Sequence, residues 1–228
     1  LIFDSNMPWM LSSNGTIFTT EFEGVIPGIL KRWYSERKDL QKMLKKAKDA
    51  ENKAEIEYWD KRQLVKKINL NSLYGAILNP GCRFFDKRIG QSTTLTGRSI
   101  TRHMGAQTNL MLMGEYDHEG DCIIYGDTDS VYFTANPALP EGEKLEMDTA
   151  IKLYDHISDQ VSDTFPQYLK DTFNVPLETG QVMKAGREVV GRSGLFLTKK
   201  RYAILCLDIE GYQPEGGKLK AMGLEIKR

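Results

Sequence analysis

Two acidic residues near the middle of the chain give the clearest chemical signal in the sequence. Asp127 and Asp129 lie one residue apart in the segment Tyr-Gly-Asp-Thr-Asp-Ser, and short apolar runs flank that segment on both sides. Apolar runs around a polar turn predict the two strands of a hairpin, which would hold both carboxylates on a rigid tip. Mg²⁺ prefers carboxylate oxygens and keeps other positions for water and substrate phosphates, and Mn²⁺ accepts similar ligands. The pattern therefore indicates a divalent-cation site.

A plainer interpretation of the same segment is a turn without chemistry, because Asp and Gly are common turn residues. An EF-hand calcium loop is excluded, since the further ligands and the glycine of that motif do not follow at the required spacing. The two aspartates alone leave the turn and the cation site both open.

A second pattern places three functional side chains at helical spacing. Lys67, Asn71 and Tyr74 occur in the segment Lys-Lys-Ile-Asn-Leu-Asn-Ser-Leu-Tyr-Gly, at positions that share one face of a helix. An ammonium, an amide and an aromatic ring on one face suit a phosphate-bearing ligand with a flat base. Arg37 on the preceding helix could join them across a helical hairpin. The alternative is that Tyr74 packs and Lys67 is only solvated.

A third pattern is the basic run Lys199-Lys200-Arg201, followed by Tyr202. We expect this run to enter a strand, where alternation would place Lys199 and Arg201 on one face and Lys200 on the other. Such cations suit contacts with a nucleic-acid backbone. The alternative is an exposed edge strand that lysines protect from pairing.

The first third of the chain predicts a hairpin followed by a helical arm. Asn14-Gly15 is typical of a tight turn between strands. Two antiparallel helices are predicted over residues 29–48 and 53–78, because Ala, Leu, Lys, Glu and Arg dominate there. Between Lys31 and Lys67 this arm carries thirteen basic and seven acidic residues. The arm is therefore basic, although a solvated helical face would look the same.

The remaining two thirds predict a mixture of helices and strands. Apolar spacing indicates helices over residues 93–113 and 147–173. Strands are predicted over residues 122–125 and 131–134, around the two aspartates. Strand-like runs at 182–190 and 202–208 follow among glycine-rich turns. The expected fold class is α+β, with an antiparallel sheet, helices on one of its faces, and a helical arm.

Composition excludes several other classes of protein. The chain has 228 residues and 31 residues of each charge, so its net charge identifies no partner. The three cysteines are isolated, which argues against a disulfide framework or a Cys-x-x-Cys metal site. No apolar run approaches the ~20 residues that a membrane helix needs, so we expect no membrane association. A P-loop is absent, and the three histidines show no ligand spacing.

Taken together, the three motifs resemble those of family B DNA polymerases. Tyr-Gly-Asp-Thr-Asp-Ser resembles motif C of that family, Lys-Lys-Ile-Asn-Leu-Asn-Ser-Leu-Tyr-Gly resembles motif B, and Thr-Lys-Lys-Arg-Tyr resembles the Lys-Lys-Arg-Tyr motif. The segments Phe-Phe-Asp-Lys-Arg and Lys-Leu-Lys-Ala-Met-Gly-Leu-Glu are similar as well, most closely to replicative polymerases of T-even-type phages. The resemblance covers the chain from about Ser13 to Arg228.

The resemblance implies a right-hand polymerase that adds deoxynucleotides to a primer 3′ end under the direction of a template. Residues 1–27 would be a palm segment that leads into the fingers, residues 28–79 the fingers, and residues 80–228 a palm truncated before the thumb. Two Mg²⁺ ions, with Mn²⁺ as an alternative, would serve as cofactors. Primer–template DNA, deoxynucleoside triphosphates, the remaining polymerase segments and a sliding clamp would be partners, in the cytoplasm of an infected bacterium.

The resemblance also assigns roles by position. The catalytic metal ligands would be Asp127 and Asp129, and Glu188 in Gly-Arg-Glu-Val-Val-Gly would be a further metal carboxylate. The nucleotide-binding residues would be Arg37, Lys67, Asn71 and Tyr74. The residues that track the primer–template duplex would be Lys199, Lys200, Arg201 and Tyr202.

The chain also departs from the family pattern. Motif A, an Asp followed by Ser-Leu-Tyr-Pro, is absent, and Asp4 lacks its context. Gln41 stands where the family usually places a Lys, one helical turn after Arg37. Exonuclease and thumb regions are also absent. We therefore expect a piece of a longer polypeptide that does not polymerise DNA alone.

Three alternatives to a catalytic palm and fingers remain open. They are a split-polymerase subunit, a non-catalytic DNA-binding remnant, and a nucleotidyltransferase with another substrate. The two aspartates favour catalysis over simple binding, because acids without a bound cation would repel a phosphate backbone.

Overall fold

A computed structural model describes residues 8–224 of the chain. The chain divides into two compact units, Leu1–Thr94 and Leu95–Arg228. Asp4, which lacks the context of motif A, lies outside the described residues.

The first unit opens with the predicted hairpin. Strands β1 (Trp9–Leu11) and β2 (Ile17–Thr19) pair antiparallel, with Leu11 opposite Ile17. Gly15 adopts a φ of +80° in the connecting turn, a conformation that glycine enters without steric cost. The prediction of a turn at Asn14-Gly15 is confirmed.

The helical arm follows as two packed helices, α1 (Val25–Asp49) and α2 (Lys53–Ile77). Helix α1 begins four residues earlier than predicted. Pro27 is tolerated in its first turn, because the first four N–H groups of a helix have no intrahelical partner. Asn52 caps α2, its side chain accepting a hydrogen bond from the Glu55 N–H at 3.3 Å.

Helix α3 (Lys87–Met113) runs from the first unit into the second and begins before the predicted residue 93. The Asp86 carboxylate accepts a hydrogen bond from the backbone N–H of Arg88 at 2.8 Å. This contact satisfies a free donor in the first turn and explains the early start.

The core of the second unit forms around helix α4 (Met147–Phe173), whose bounds match the prediction. Strands β3 (Ile123–Asp127) and β4 (Ser130–Phe133) form the predicted hairpin. Ile157, Val161 and Phe165 of α4 are buried and pack against α3 and β4. This packing supports the hairpin from one side.

A three-stranded antiparallel sheet completes the second unit. After the short helix α5 (Leu177–Gly180), the sheet contains β5 (Val189–Thr198), β6 (Arg201–Ile209) and β7 (Lys218–Met222), with β6 in the centre.

The predicted strand over residues 182–190 is wrong for most of its length, since β5 begins only at Val189 and continues through Gly191. A Cβ at Gly191 would lie 2.5 Å from Ile204 Cγ2, so glycine allows a close strand approach here and does not mark a turn.

The fold class is α+β, as predicted. The described strands belong to three small antiparallel sheets and not to one continuous sheet. Between residues 8 and 224 no helix is long and apolar enough to cross a membrane. The functional division at residues 27 and 79 stays a prediction.

Candidate active site

The two aspartates lie at the tip of the β3–β4 hairpin. Asp127 pairs with Ser130, and Thr128 and Asp129 form the turn between them. Thr128 has a φ of +54°, which is unusual for a β-branched residue. Its carbonyl accepts a hydrogen bond from Thr101 of α3 at 3.1 Å, which holds the strained turn in place.

The two carboxylates have different surroundings. The Asp127 side chain is 24% exposed, and its Oδ1 accepts a hydrogen bond from the Thr128 hydroxyl at 3.1 Å. The Lys200 ammonium lies 3.4 Å from the same oxygen. Asp129 is exposed and has no hydrogen bond or ion pair within residues 8–224. Asp127 is therefore fixed, whereas Asp129 is free to orient.

The carboxylates at the tip are ligands of the kind that divalent cations prefer. Mg²⁺ is commonly held by one or two carboxylates together with waters and phosphate oxygens, which is what an exposed pair of aspartates provides. Among the described residues, no three acidic, histidine or cysteine side chains are grouped closely enough to hold a metal ion.

Glu188 was predicted as a further metal ligand. It is exposed immediately before β5, and its carbonyl accepts a hydrogen bond from the Glu210 N–H at 2.8 Å. The structure does not bring it into one group with Asp127 and Asp129. Its role at the metal stays a prediction.

The basic run lies at the tip of the neighbouring hairpin, and the predicted alternation along a strand is wrong. Thr198 pairs with Arg201, so Lys199 and Lys200 form a two-residue turn between β5 and β6. Lys200 has a φ of +59°, which a strand residue does not adopt. Arg201 is exposed at the start of β6. The turn brings Lys200 to Asp127 of the other hairpin.

Tyr202, for which a contact with the duplex stays a prediction, is buried at 4% exposure. Its hydroxyl is 2.9 Å from that of Tyr132, and its ring packs with those of Tyr125 and Phe196. Burial, followed by the Tyr202 hydrogen bond, raises the pKa of Tyr132 well above its usual range. In this arrangement Tyr202 supports both hairpins from beneath.

In the first unit, the structure places the predicted nucleotide-binding residues along one face of the helical arm. Arg37 Nε donates to Gln63 Oε1 at 3.3 Å, and Gln63 precedes Lys67 by one helical turn. Lys67 and Asn71 are exposed. Tyr74 is partly buried, and its hydroxyl donates to the Gly90 carbonyl at 3.2 Å.

The two adjacent lysines of this motif point in different directions. Lys66 forms an ion pair with Glu36 of α1 and lies over the Trp33 ring. Lys67 makes no ion pair within the described part of the chain, so its charge is available to a ligand.

Gln41 lies one turn after Arg37, and its neighbour Lys42 pairs with Asp39 at 3.0 Å. Lys42 and Asp39 are both largely exposed, so this pair is weak. A ligand could therefore still compete with Asp39 for Lys42.

Sequence reasoning missed two groups that hold the site. One is Thr101, the partner of the strained turn, which carries no motif. The other is Arg187, whose guanidinium bonds to Asp155 of α4 at 2.6 Å and also to Asp208 of β6. Burial raises the pKa of Asp208, but the hydrogen bond and charge of Arg187, together with the hydrogen bonds from the Gly211 N–H and Gln213, lower it overall. The only feature of the sequence that pointed to Arg187 was its position next to Glu188, a predicted metal ligand.

The described fold and site define an α+β protein with paired carboxylates beside a lysine turn, and with a separate helical arm that presents Arg, Lys and Asn. The model of DNA polymerase family B matches residues 9–228, and the chain belongs to this family.

Similar proteins come from widely separated organisms. The chain is 28% identical over 179 residues to the DNA-directed DNA polymerase of Escherichia phage RB69, which is 73% of this chain and 20% of that protein. It is 28% identical over 214 residues to DNA polymerase 1 of Pyrococcus abyssi, covering 94% of this chain and 23% of the relative. It is 31% identical over 183 residues to the DNA polymerase delta catalytic subunit of Oryza sativa subsp. japonica, covering 79% and 14%.

The chain thus spans about a fifth of the length of the curated relatives that it matches. Identity to the phage, archaeal and plant proteins is nearly the same. The resemblance to family B is therefore confirmed, whereas a specific relation to T-even-type phages is not.

Proposed function

We propose that this chain is the palm and fingers portion of a DNA-directed DNA polymerase, which adds deoxynucleotides to a primer 3′ end. The observation that carries the proposal is the exposed hairpin tip with Asp127 and Asp129, beside the lysine turn. Family membership over residues 9–228 supports the same assignment. Phosphoryl transfer needs mainly positioning and charge neutralisation, and such a site can supply both.

Asp127 and Asp129 would hold the divalent cations, either Mg²⁺ or Mn²⁺. Such cations neutralise the charge on the attacking and leaving oxygens of a phosphoryl transfer. The rigid hairpin supports Asp127, while Asp129 has the freedom to adjust to a ligand. Glu188 is the candidate for an additional carboxylate.

The helical arm would bind the incoming nucleotide. Arg37 of α1 and Lys67 of α2 present cations on one face of the two-helix arm and would hold the triphosphate. Asn71 would line the nucleotide site one turn further on, and Tyr74 would pack at the nascent base pair, positioned by its bond to Gly90.

The lysine turn would bind the duplex. Lys199, Lys200 and Arg201 are exposed and can contact phosphates, which predicts an affinity that falls with salt. Tyr202 would act from the core by fixing the turn.

The wider setting follows the same proposal. The source would be a phage, the site of action the cytoplasm of its bacterial host, and a sliding clamp a partner. The 228-residue sequence contains no motif A, so we propose that the chain needs this segment for activity. A split-polymerase subunit and a DNA-binding remnant are the alternatives.

Primer extension in Mg²⁺ tests this proposal. The assay compares the 228-residue chain alone with the same chain extended at its N-terminus to include a family B motif A segment. We expect extension of the primer only by the longer form. A longer form that binds primer–template DNA but never extends it would contradict the proposal and favour the DNA-binding remnant.

A further inference from the structure

The ammonium group of Lys200 forms an ion pair with the carboxylate of Asp127, which we propose as a metal ligand. It lies 3.4 Å from Asp127 Oδ1, and the Lys200 side chain is 69% exposed whereas that of Asp127 is 24% exposed. An ammonium and a divalent cation neutralise the same negative charge, so each weakens the binding of the other. Lys200 is therefore placed to compete with a metal ion.

The backbone of the lysine turn is held independently of this side chain. The Lys200 N–H donates to the Tyr125 hydroxyl at 2.8 Å. On the other side the chain after β7 approaches so closely that a Cβ at Gly223 would lie 2.2 Å from the Lys200 carbonyl oxygen. The turn can thus stay in place while the ammonium moves.

The two lysines of the turn differ in their ion pairing within the described residues. Lys199 is exposed and makes no ion pair within residues 8–224. Lys200 is paired with Asp127. Only Lys199 is therefore free to meet a phosphate while the pair with Asp127 is intact.

We propose that Lys200 is the counter-ion of Asp127 until a divalent cation binds, and that cation binding releases this ammonium to the phosphate backbone of DNA. The inference rests on the proposed function and adds a regulatory link between the metal site and the DNA site. Because linkage is reciprocal, the cation and the DNA each strengthen the binding of the other.

The expected effect is modest, because the Lys200 side chain is largely exposed and the ion pair is screened. Lys200→Met removes the charge but keeps the length of the side chain. The position stays non-glycine, so the strain at positive φ is unchanged. We expect the affinity for Mn²⁺ to rise about two- to fivefold at low salt, and the gain to shrink as salt increases.

Titration of the 228-residue chain with Mn²⁺, followed by the electron paramagnetic resonance of free Mn²⁺, measures this effect without any catalysis. Lys200→Arg keeps the ion pair and should bind Mn²⁺ as the unmodified chain does. Lys144→Met is the matched control, since it removes one exposed lysine charge in the loop before α4 and should leave the affinity unchanged. Circular dichroism checks that each variant is folded.

The same variants test the release to DNA. In the unmodified chain, Mn²⁺ should steepen the slope of log affinity for the duplex against log salt concentration. The change should correspond to about one additional phosphate contact. In Lys200→Met this increment should be absent. Fluorescence anisotropy of a labelled primer–template duplex reports both values.

The Mn²⁺ titrations distinguish a failure of the Lys200 competition from a failure of the proposed metal site. Equal Mn²⁺ affinity in Lys200→Met and the unmodified chain would overturn the competition, and the metal site would remain. Mn²⁺ binding that Asp129→Asn leaves unchanged would locate the ion elsewhere and overturn both.

Discussion

Replacing Arg187 with Met should destabilise the second unit, because the buried carboxylate of Asp208 then loses its ion-pair partner. The side chains of Arg187 and Asp208 are 11% and 2% exposed, whereas that of Asp155 is 50% exposed. Removing one partner of a buried ion pair costs about 3–5 kcal/mol, and a surface pair contributes at most about 1 kcal/mol. Asp208 keeps a hydrogen bond from the Gly211 N–H at 2.9 Å, so we expect the lower end, about 3 kcal/mol. Urea unfolding at pH 7 measures the loss.

The pH dependence gives the same prediction a second readout. The pKa of Asp208 is lowered in the folded protein, so its stabilisation is present above the unfolded pKa and is lost as the pH falls. Without Arg187, burial should raise this pKa, and protonation should then relieve the penalty. The cost of Arg187→Met should therefore shrink between pH 7 and pH 4.

Asp155→Asn is the matched control for the Arg187 variant and should cost less than about 1 kcal/mol. An Arg187→Met variant as stable as the unmodified chain would refute this reasoning. So would a cost that stays constant as the pH falls.

Two further predictions concern stability. Asn52→Ala should cost about 1 kcal/mol in urea unfolding because α2 loses its cap, whereas Asn52→Asp should retain most of that stability; equal stability of both variants would contradict the capping role. His103 is buried between Tyr116 and Thr164 hydroxyls, and burial lowers its pKa. The unfolded chain therefore binds the proton more readily, and unfolding free energy should fall as the pH drops below about 6.5. His103→Gln should flatten that dependence, and a slope unchanged by the substitution would point to another group.

Local patterns in the sequence were sufficient for the helices and for two of the hairpins, β1–β2 and β3–β4. The bounds of α4 follow from its apolar spacing, and the turn at Asn14-Gly15 follows from glycine conformation. The helical pairing of Arg37 with the face of Lys67 also follows, because two helices joined by a short loop pack side by side. Each of these features depends on residues within one helix, one turn or one pair of consecutive helices.

The features that the sequence did not predict depend on contacts between distant segments. Gly191 lies within a strand, where Ile204 of the neighbouring strand leaves no room for a side chain and only glycine fits. Tyr202 is buried because Tyr125 and Tyr132 of another hairpin cover it. The contact of Lys200 with Asp127 joins two turns, and no periodicity of either segment specifies that they meet.

The central claim is that Asp127 and Asp129 form the catalytic tip of a polymerase. Single-nucleotide incorporation by the motif A-extended form, in Mg²⁺, tests it most directly when Asp129→Asn is compared with Asp159→Asn, an exposed acid on α4. We expect Asp129→Asn to lower incorporation by at least about a hundredfold while DNA binding persists, and Asp159→Asn to change neither. Equal incorporation rates for the two variants would contradict it.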